Sequence, residues 1–222
     1  LVMAISAYYM LRRQDLQFAR SSFRLAAVFG MIATLMTIQM GDESGYLVTK
    51  DQPTKIAAME AIWETHEAPA PLTLFAIPDE AAQTNHAQID VPWLFGLMGT
   101  RSLSTEIPGI KELTAQAEQR IVNGQKAIGV LEQLRKDPAN EQLREQFLAV
   151  RDDLGFGLLL KRYTNDVNAA TPEMIKQAAA DTIPSVTPMF WSFRIMVGSG
   201  LAMALVFVLG LFYSFMNEIA EK

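Results

Sequence analysis

The 222-residue sequence contains no cysteine and only two histidines. Without cysteine there is no disulfide scaffold, no thiolate zinc site, no iron–sulfur cluster and no covalently attached haem. Charge is scarce as well: Asp, Glu, Lys and Arg make up 19% of the chain against 50% hydrophobic residues. Disorder needs the reverse balance, so it is excluded. The formal net charge of -5 tells against a non-specific nucleic-acid binder. No Gly-rich phosphate loop, nucleophile elbow or paired-cysteine motif is present.

The few charges are unevenly spread. Leu1 to Leu11 has none, Leu25 to Gly41 has none over 17 residues, and Ile195 to Asn217 has none over 23. About 20 apolar residues cross a bilayer core, with a lower limit of roughly 17. The last run therefore predicts a transmembrane helix over 186–217. The middle one predicts another over 25–40, extended by Ser21, Ser22 and Phe23 if Arg24 snorkels to the interface. Residues 1–11 are too short to span and read as the end of a helix that starts earlier, as expected of an internal piece of a larger multi-pass membrane protein. The run lacks the basic flank and small-residue cleavage site of a signal peptide.

Orientation follows from the segment 12–24, which carries Arg12, Arg13, Arg20 and Arg24 against Asp15 alone. Short basic loops stay in the cytoplasm. Residues 41–185, with 13 basic and 21 acidic side chains, then lie outside, in the periplasm of a Gram-negative cell. Residues 218–222, with Lys222 offset by Glu218 and Glu221, form the expected cytoplasmic end.

Within 41–185 the signals are helical, so the fold class expected is all-α. Pro53 suits a helix start that Asp51 can cap, with Ile56, Met59 and Trp63 at helical spacing. Residues 66–92, holding Pro69, Pro71, Pro78 and Pro92, read as extended loop. Val91 to Thr100 is uncharged but too short to span, hence buried core or an interfacial segment. From Ile110, the stripe Leu113, Ala117, Ile121, Ile128, Leu131 and Leu134 predicts a long helix that Pro138 breaks. Asn140 can cap a following helix, and Thr171-Pro172 opens another that runs to Pro184.

Three residues break this patterning. Glu60 falls about 40° from Ile56 on a helical wheel, inside the apolar stripe, with Lys55 flanking it at about 260°. A carboxylate there needs a partner or a proton-transfer role, unless the helix frays and leaves it partly exposed. Arg194 is the only charge between Asp181 and Glu218. At membrane depth such a residue either serves function or snorkels to lipid phosphate. Met196 reads as a packing methionine or as an axial haem ligand. Residues two apart on a helix point about 200° apart, so Arg194 cannot share an iron with it but could reach a propionate edge. His66 and His86 have no ligand-spaced partner and read as solvated surface histidines.

Four stretches together are distinctive. Gly41-Asp42-Glu43-Ser44-Gly45-Tyr46, then Gln52-Pro53-Thr54-Lys55-Ile56-Ala57-Ala58-Met59-Glu60, then Gly157-Leu158-Leu159-Leu160-Lys161-Arg162-Tyr163, and Phe193-Arg194-Ile195-Met196-Val197 occur in that order. In these the chain resembles subunit I of cytochrome bd-type ubiquinol oxidases, over essentially its whole length. The resemblance implies that 41–185 is the long form of the family's quinol-oxidising Q-loop. It implies that Lys55 and Glu60 are the catalytic pair for quinol oxidation and that Asp42 lies near the quinol headgroup. It also implies that Met196 is one axial ligand of the low-spin haem b iron and that Arg194 stands beside that haem.

The resemblance places the other ligand of that haem, and the ligands of a high-spin haem b and a haem d, outside this sequence. The fragment alone is therefore not expected to be active. Implied partners are ubiquinol or menaquinol, subunit II with small accessory subunits, and the lipid bilayer of a bacterial inner membrane. On this reading Glu60, its pKa raised by burial, takes a proton from quinol while Lys55 hydrogen-bonds a quinol oxygen. Electrons pass to the haem and protons leave on the outer side, building a proton gradient as oxygen is reduced to water. The contrasting expectation is a membrane sensor with a helical extracytoplasmic domain between two spans.

Overall fold

The structure, a computed structural model, describes residues 1–216; Asn217 and the expected cytoplasmic end, 218–222, lie outside the described residues. The chain divides into two compact units. One comprises residues 1–47 with the described residues from Trp191 onward, and the other is Val48–Phe190.

The first unit is built from α1 (Val2–Leu11) and most of α2 (Leu16–Asp51) and α8 (Val186–Phe215). Both α2 and α8 are long and apolar enough to cross a membrane. Only 11% and 6% of their most apolar windows are buried within the chain, so neither is the core helix of a soluble domain. α2 begins at Leu16 and continues unbroken through Gly41–Tyr46, so that motif lies on a helix. Arg24 does more than snorkel. Its Nε donates to Ser214 Oγ at 2.8 Å and its Nη2 to the Ser214 carbonyl at 2.7 Å. Gly30 packs against the ring of Phe207, where a Cβ would stand 2.2 Å from a ring carbon.

The second unit is held together by α4 (Ile110–Lys136). Its predicted stripe is the buried face: Ala117, Ile121 and Ile128 form one core with Leu160, Val167, Ala178 and Ala179. The short helix α6 (Leu154–Leu158) crosses α4 at backbone contact. A Cβ on Gly124 would lie 2.2 Å from Gly157 N, closer than any side chain permits. Arg120 Nε donates to Asp153 Oδ1 at 2.6 Å at the same crossing, which holds the Asp153 carboxyl below its usual range. Asn140 caps α5 (Glu141–Val150) through Leu143 N, and Thr171 caps α7 (Pro172–Ala180) through Met174 N, as the sequence predicts. α7 ends at Ala180, short of Pro184.

The architecture is predominantly helical, with one small departure. The proline-rich stretch read as loop contains an antiparallel hairpin, β1 (Leu72–Asp79) and β2 (Thr84–Val91). The prolines sit where a two-stranded ribbon tolerates them: Pro71 and Pro92 flank the strands, and Pro78 pairs with Asn85 next to the turn. The turn is fixed by Asp79, whose Oδ1 accepts from Ala81 N and Ala82 N at 3.0 Å each. Val91–Thr100 is core only in part, with Phe95, Gly96 and Gly99 buried and Trp93, Leu97 and Met98 about half exposed. His66 is not a loop histidine in water. Its backbone bridges Ile107, and its Nδ1 is buried with no hydrogen-bond partner among the described residues.

Candidate functional site

The helix α3 (Pro53–Glu60) carries Lys55 and Glu60. Pro53 opens it, since a proline at the first helical position sacrifices no bonded N–H. The cap position falls on Gln52, without a side-chain bond, whereas Asp51 ends α2. The predicted cap is thus displaced because α2 runs ten residues past Gly41.

Glu60 is the last residue of α3 and is only 3% exposed. Ile56, Ala57, Ala58, Ala61, Ile62 and Trp63 around it in sequence are all buried. A frayed, partly exposed Glu60 is therefore ruled out. Lys55, five residues earlier and about 140° round the helix, is half-buried.

The chain turns sharply after Glu60. Ala61 adopts a left-handed conformation with φ 51°, which costs an alanine about 1–2 kcal/mol. Ile62 N donates back to Ala57 O at 2.8 Å, and Asn85 Nδ2 on β2 donates to Ala61 O at 2.9 Å. Trp63 Nε1 donates to Asn85 Oδ1 at 2.8 Å, so one asparagine clamps both sides of the turn. The following residues give their carbonyls to the start of α4. Ile110 N donates to Ile62 O and Lys111 N to Trp63 O, satisfying two donors that a helix start leaves over. Lys111 Nζ lies 2.6 Å from Glu64 Oε1, and this bond lowers the Glu64 carboxyl from its ordinary value.

Asn85 and Glu80 escape the sequence reading because the hairpin does. The signal available was Thr73-Leu74-Phe75-Ala76-Ile77, a β-branched and aromatic run ending at an Asp turn residue. Asp79 is held low first by the Ala82 N–H and then by His86, whose Nε2 is 3.5 Å from its Oδ2. Glu80 is held low by the N–H of Thr187, which donates to its Oε1 at 2.9 Å.

The remaining sequence-predicted residues lie on the two long helices. Asp42 is exposed on α2. On α8, the Arg194 guanidinium carbon lies 5.5 Å from the centroid of the Phe193 ring. Met196 is 62% exposed. Gly200, one turn beyond Met196, and Gly198 have nothing but their own neighbours and helix backbone within 4 Å of where a Cβ would stand, among the described residues. A thioether on an exposed apolar helix, with Gly200 on the same side one turn further on, has the chemistry of a haem-iron ligand. Lys55 and Glu60 thus share α3, about 140° apart round the helix, and Arg194 and Met196 share α8, about 200° apart.

A family model described as "Cytochrome bd terminal oxidase subunit I" matches residues 1–221. The chain is 38% identical over 220 residues to cytochrome bd-II ubiquinol oxidase subunit 1 of Escherichia coli (strain K12), covering 99% of this chain and 43% of that protein. It is 26% identical over 210 residues to cytochrome bd ubiquinol oxidase subunit 1 of Bacillus subtilis (strain 168), covering 95% of this chain and 33% of that one. Among solved structures, the bd oxidase from Geobacillus thermodenitrificans aligns with 97% of this chain and 54% of its own, at a TM-score of 0.45 and 17% identity. The chain spans less than half the length of the curated relatives it matches.

Proposed function

The chain belongs to the family of subunit I of cytochrome bd terminal oxidases, and from that premise we propose that Val48–Phe190 houses the quinol-oxidising site of such an enzyme. The observation that carries the reading is the burial of Glu60 at 3% exposure, at the end of an apolar helix with a half-buried lysine five residues before it. Membership of an oxidase family leaves no place for a sensor.

Ubiquinol or menaquinol gives up two electrons and two protons on becoming quinone. Its hydroxyl needs a base out of bulk water, and its ring needs an apolar cleft. Glu60 supplies the base: its carboxylate accepts a hydroxyl proton, which burial makes easier by disfavouring the charged form. Lys55 donates a hydrogen bond to the quinol oxygen and orients the ring. Protons leave towards the periplasm, the side proposed for residues 41–185.

Met196 would hold the low-spin haem b by its thioether, and Arg194 would lie beside that haem. When bound, this haem supplies a one-electron acceptor for quinol oxidation. The high-spin haem b and haem d, where oxygen is reduced to water, are proposed to take their ligands from the remaining length of the subunit. Subunit II and small accessory subunits complete the enzyme in the bacterial inner membrane, and the outward protons contribute to a proton gradient.

Glu60→Gln in the intact oxidase tests the core of the proposal. It keeps the shape and removes the base, so quinol-driven turnover should fall roughly a hundredfold or more, the usual share of general-base catalysis. Haem content should stay at the wild-type level. Wild-type turnover in this variant would remove Glu60 from the reaction.

A further inference from the structure

The carboxylate of Glu80 sits at the start of α8, 107 residues away in sequence. The first donors of that helix are the N–H groups of Val186 and Thr187, because Pro188 has none. Thr187 N donates to Glu80 Oε1 at 2.9 Å, and the Thr187 hydroxyl and Val186 N–H also act on this carboxylate. A carboxylate at a helix N-terminus gains from the helix dipole as well as from the hydrogen bonds. Sequence rules would choose the adjacent Ser185 for capping, yet the Thr187 donor goes to a residue of the hairpin.

Glu80 is not free to wander. It lies in the turn that Asp79 closes onto Ala81 and Ala82. Gln83 completes the turn in a left-handed conformation, φ 51°, and two residues later comes Asn85. Asn85 is the side chain that clamps Ala61 and Trp63. Both ends of this connection lie within the Val48–Phe190 unit. Six residues of hairpin therefore link the residue after Glu60 to the first turn of α8, and that helix carries Arg194 two turns further on and Met196 nine residues beyond Thr187.

We infer that Glu80 is a positioning residue, latching the hairpin as a strut between α3, which carries Lys55 and Glu60, and the first turn of α8, both inside the Val48–Phe190 unit. Proton transfer from a bound quinol to Glu60 needs α3 held in one place, and a loose turn after it would spread the positions of the base. A strut pinned by one side chain at each end keeps α3 and the start of α8 in register. The functional part of this inference rests on the proposed quinol site; the mechanical part does not.

The absence of cysteine from the chain makes the test direct. In the intact oxidase, with any cysteines of the rest of the complex removed, nitroxide labels at Thr54 on α3 and Met189 on α8 report the separation by double electron–electron resonance. The expected result is a narrow distance distribution in the parent that broadens in Glu80→Ala and in Asn85→Ala. Glu80→Gln, which retains an oxygen acceptor, should restore it. Amide exchange at 186–190 should quicken roughly fivefold in Glu80→Ala, the usual effect of losing a cap, and kcat for quinol should fall several-fold at unchanged KM.

An unchanged distribution in Glu80→Ala overturns the strut. A broadened distribution with unchanged kcat overturns its positioning role. Failure of the quinol reading would show separately, as normal turnover in Glu60→Gln, and would leave the distance result standing.

Discussion

At the scale of single residues, burial is what separates Glu60 from the other acids on the page. Glu64, Asp79, Glu80 and Asp153 all have their carboxyls drawn below the ordinary range by nearby donors, so each is an ionised anchor at neutral pH. Glu60 is set apart by its enclosure at the end of an alanine-rich helix, which is what the proposed role of base in quinol oxidation asks of it. Its place beside the apolar Ile56 was legible from periodicity, because α3 is helical from Pro53 to Glu60, whereas Trp63, the last residue of the expected stripe, lies beyond the left-handed turn at Ala61. The clamp from Asn85 was not legible, since a side chain reaching back 24 residues leaves no trace in spacing. Met196 yields the prediction proper to this scale. Leucine keeps its bulk and removes the sulfur, so Met196→Leu should shift or abolish the low-spin haem b band in a reduced-minus-oxidised spectrum of the intact oxidase. The same band in both proteins would reduce Met196 to packing.

Among elements, α4 was the most legible and the hairpin the least. The α4 stripe keeps a helical period from Leu113 to Ile128 with its buried positions where predicted, and Asn140 and Thr171 are side chains whose capping chemistry is local. Strand alternation fails in β1 because the register slips between Thr73 and Phe75 and again between Phe75 and Ile77. Its turn uses Asp79 and a left-handed Gln83 in place of an Asn-Gly pair. The α4–α6 crossing carries two predictions. Gly124→Ala drives a methyl into the backbone at Gly157, so thermal unfolding of the Val48–Phe190 unit should show a loss of about 1–3 kcal/mol, as for overpacking. Asp153 is held low mainly by Arg120, so its contribution is present above the ordinary carboxylate value of 3.8 and disappears as pH falls through its lower folded value. Asp153→Asn should therefore lower stability by about 1 kcal/mol or less at pH 7, and the difference from wild type should shrink in acid melts.

For the whole molecule, hydropathy made the two spans legible, because an apolar run of that length has few other uses. Their mutual anchoring was not, since Arg24 and Ser214 stand 190 residues apart. Ser214 is 3% exposed, so Arg24→Leu strands a polar group and should cost about 1–3 kcal/mol in melts of the detergent-solubilised oxidase. A milder loss in Ser214→Ala, which removes the hydroxyl acceptor but leaves the bond from Arg24 Nη2 to the Ser214 carbonyl, would fit the same contact. This tie also makes the chain between its ends a closed circuit. The entropy of closing such a circuit grows only with the logarithm of its length, about 0.6 kcal/mol per doubling. Lengthening or trimming the intervening segment is thus nearly neutral for membrane anchorage, provided the trimmed part supports nothing else. Glu141–Val150 buries no residue at all, which makes that helix the natural place for such a chain to grow, shrink or accept a fused reporter while the two spans stay as they are.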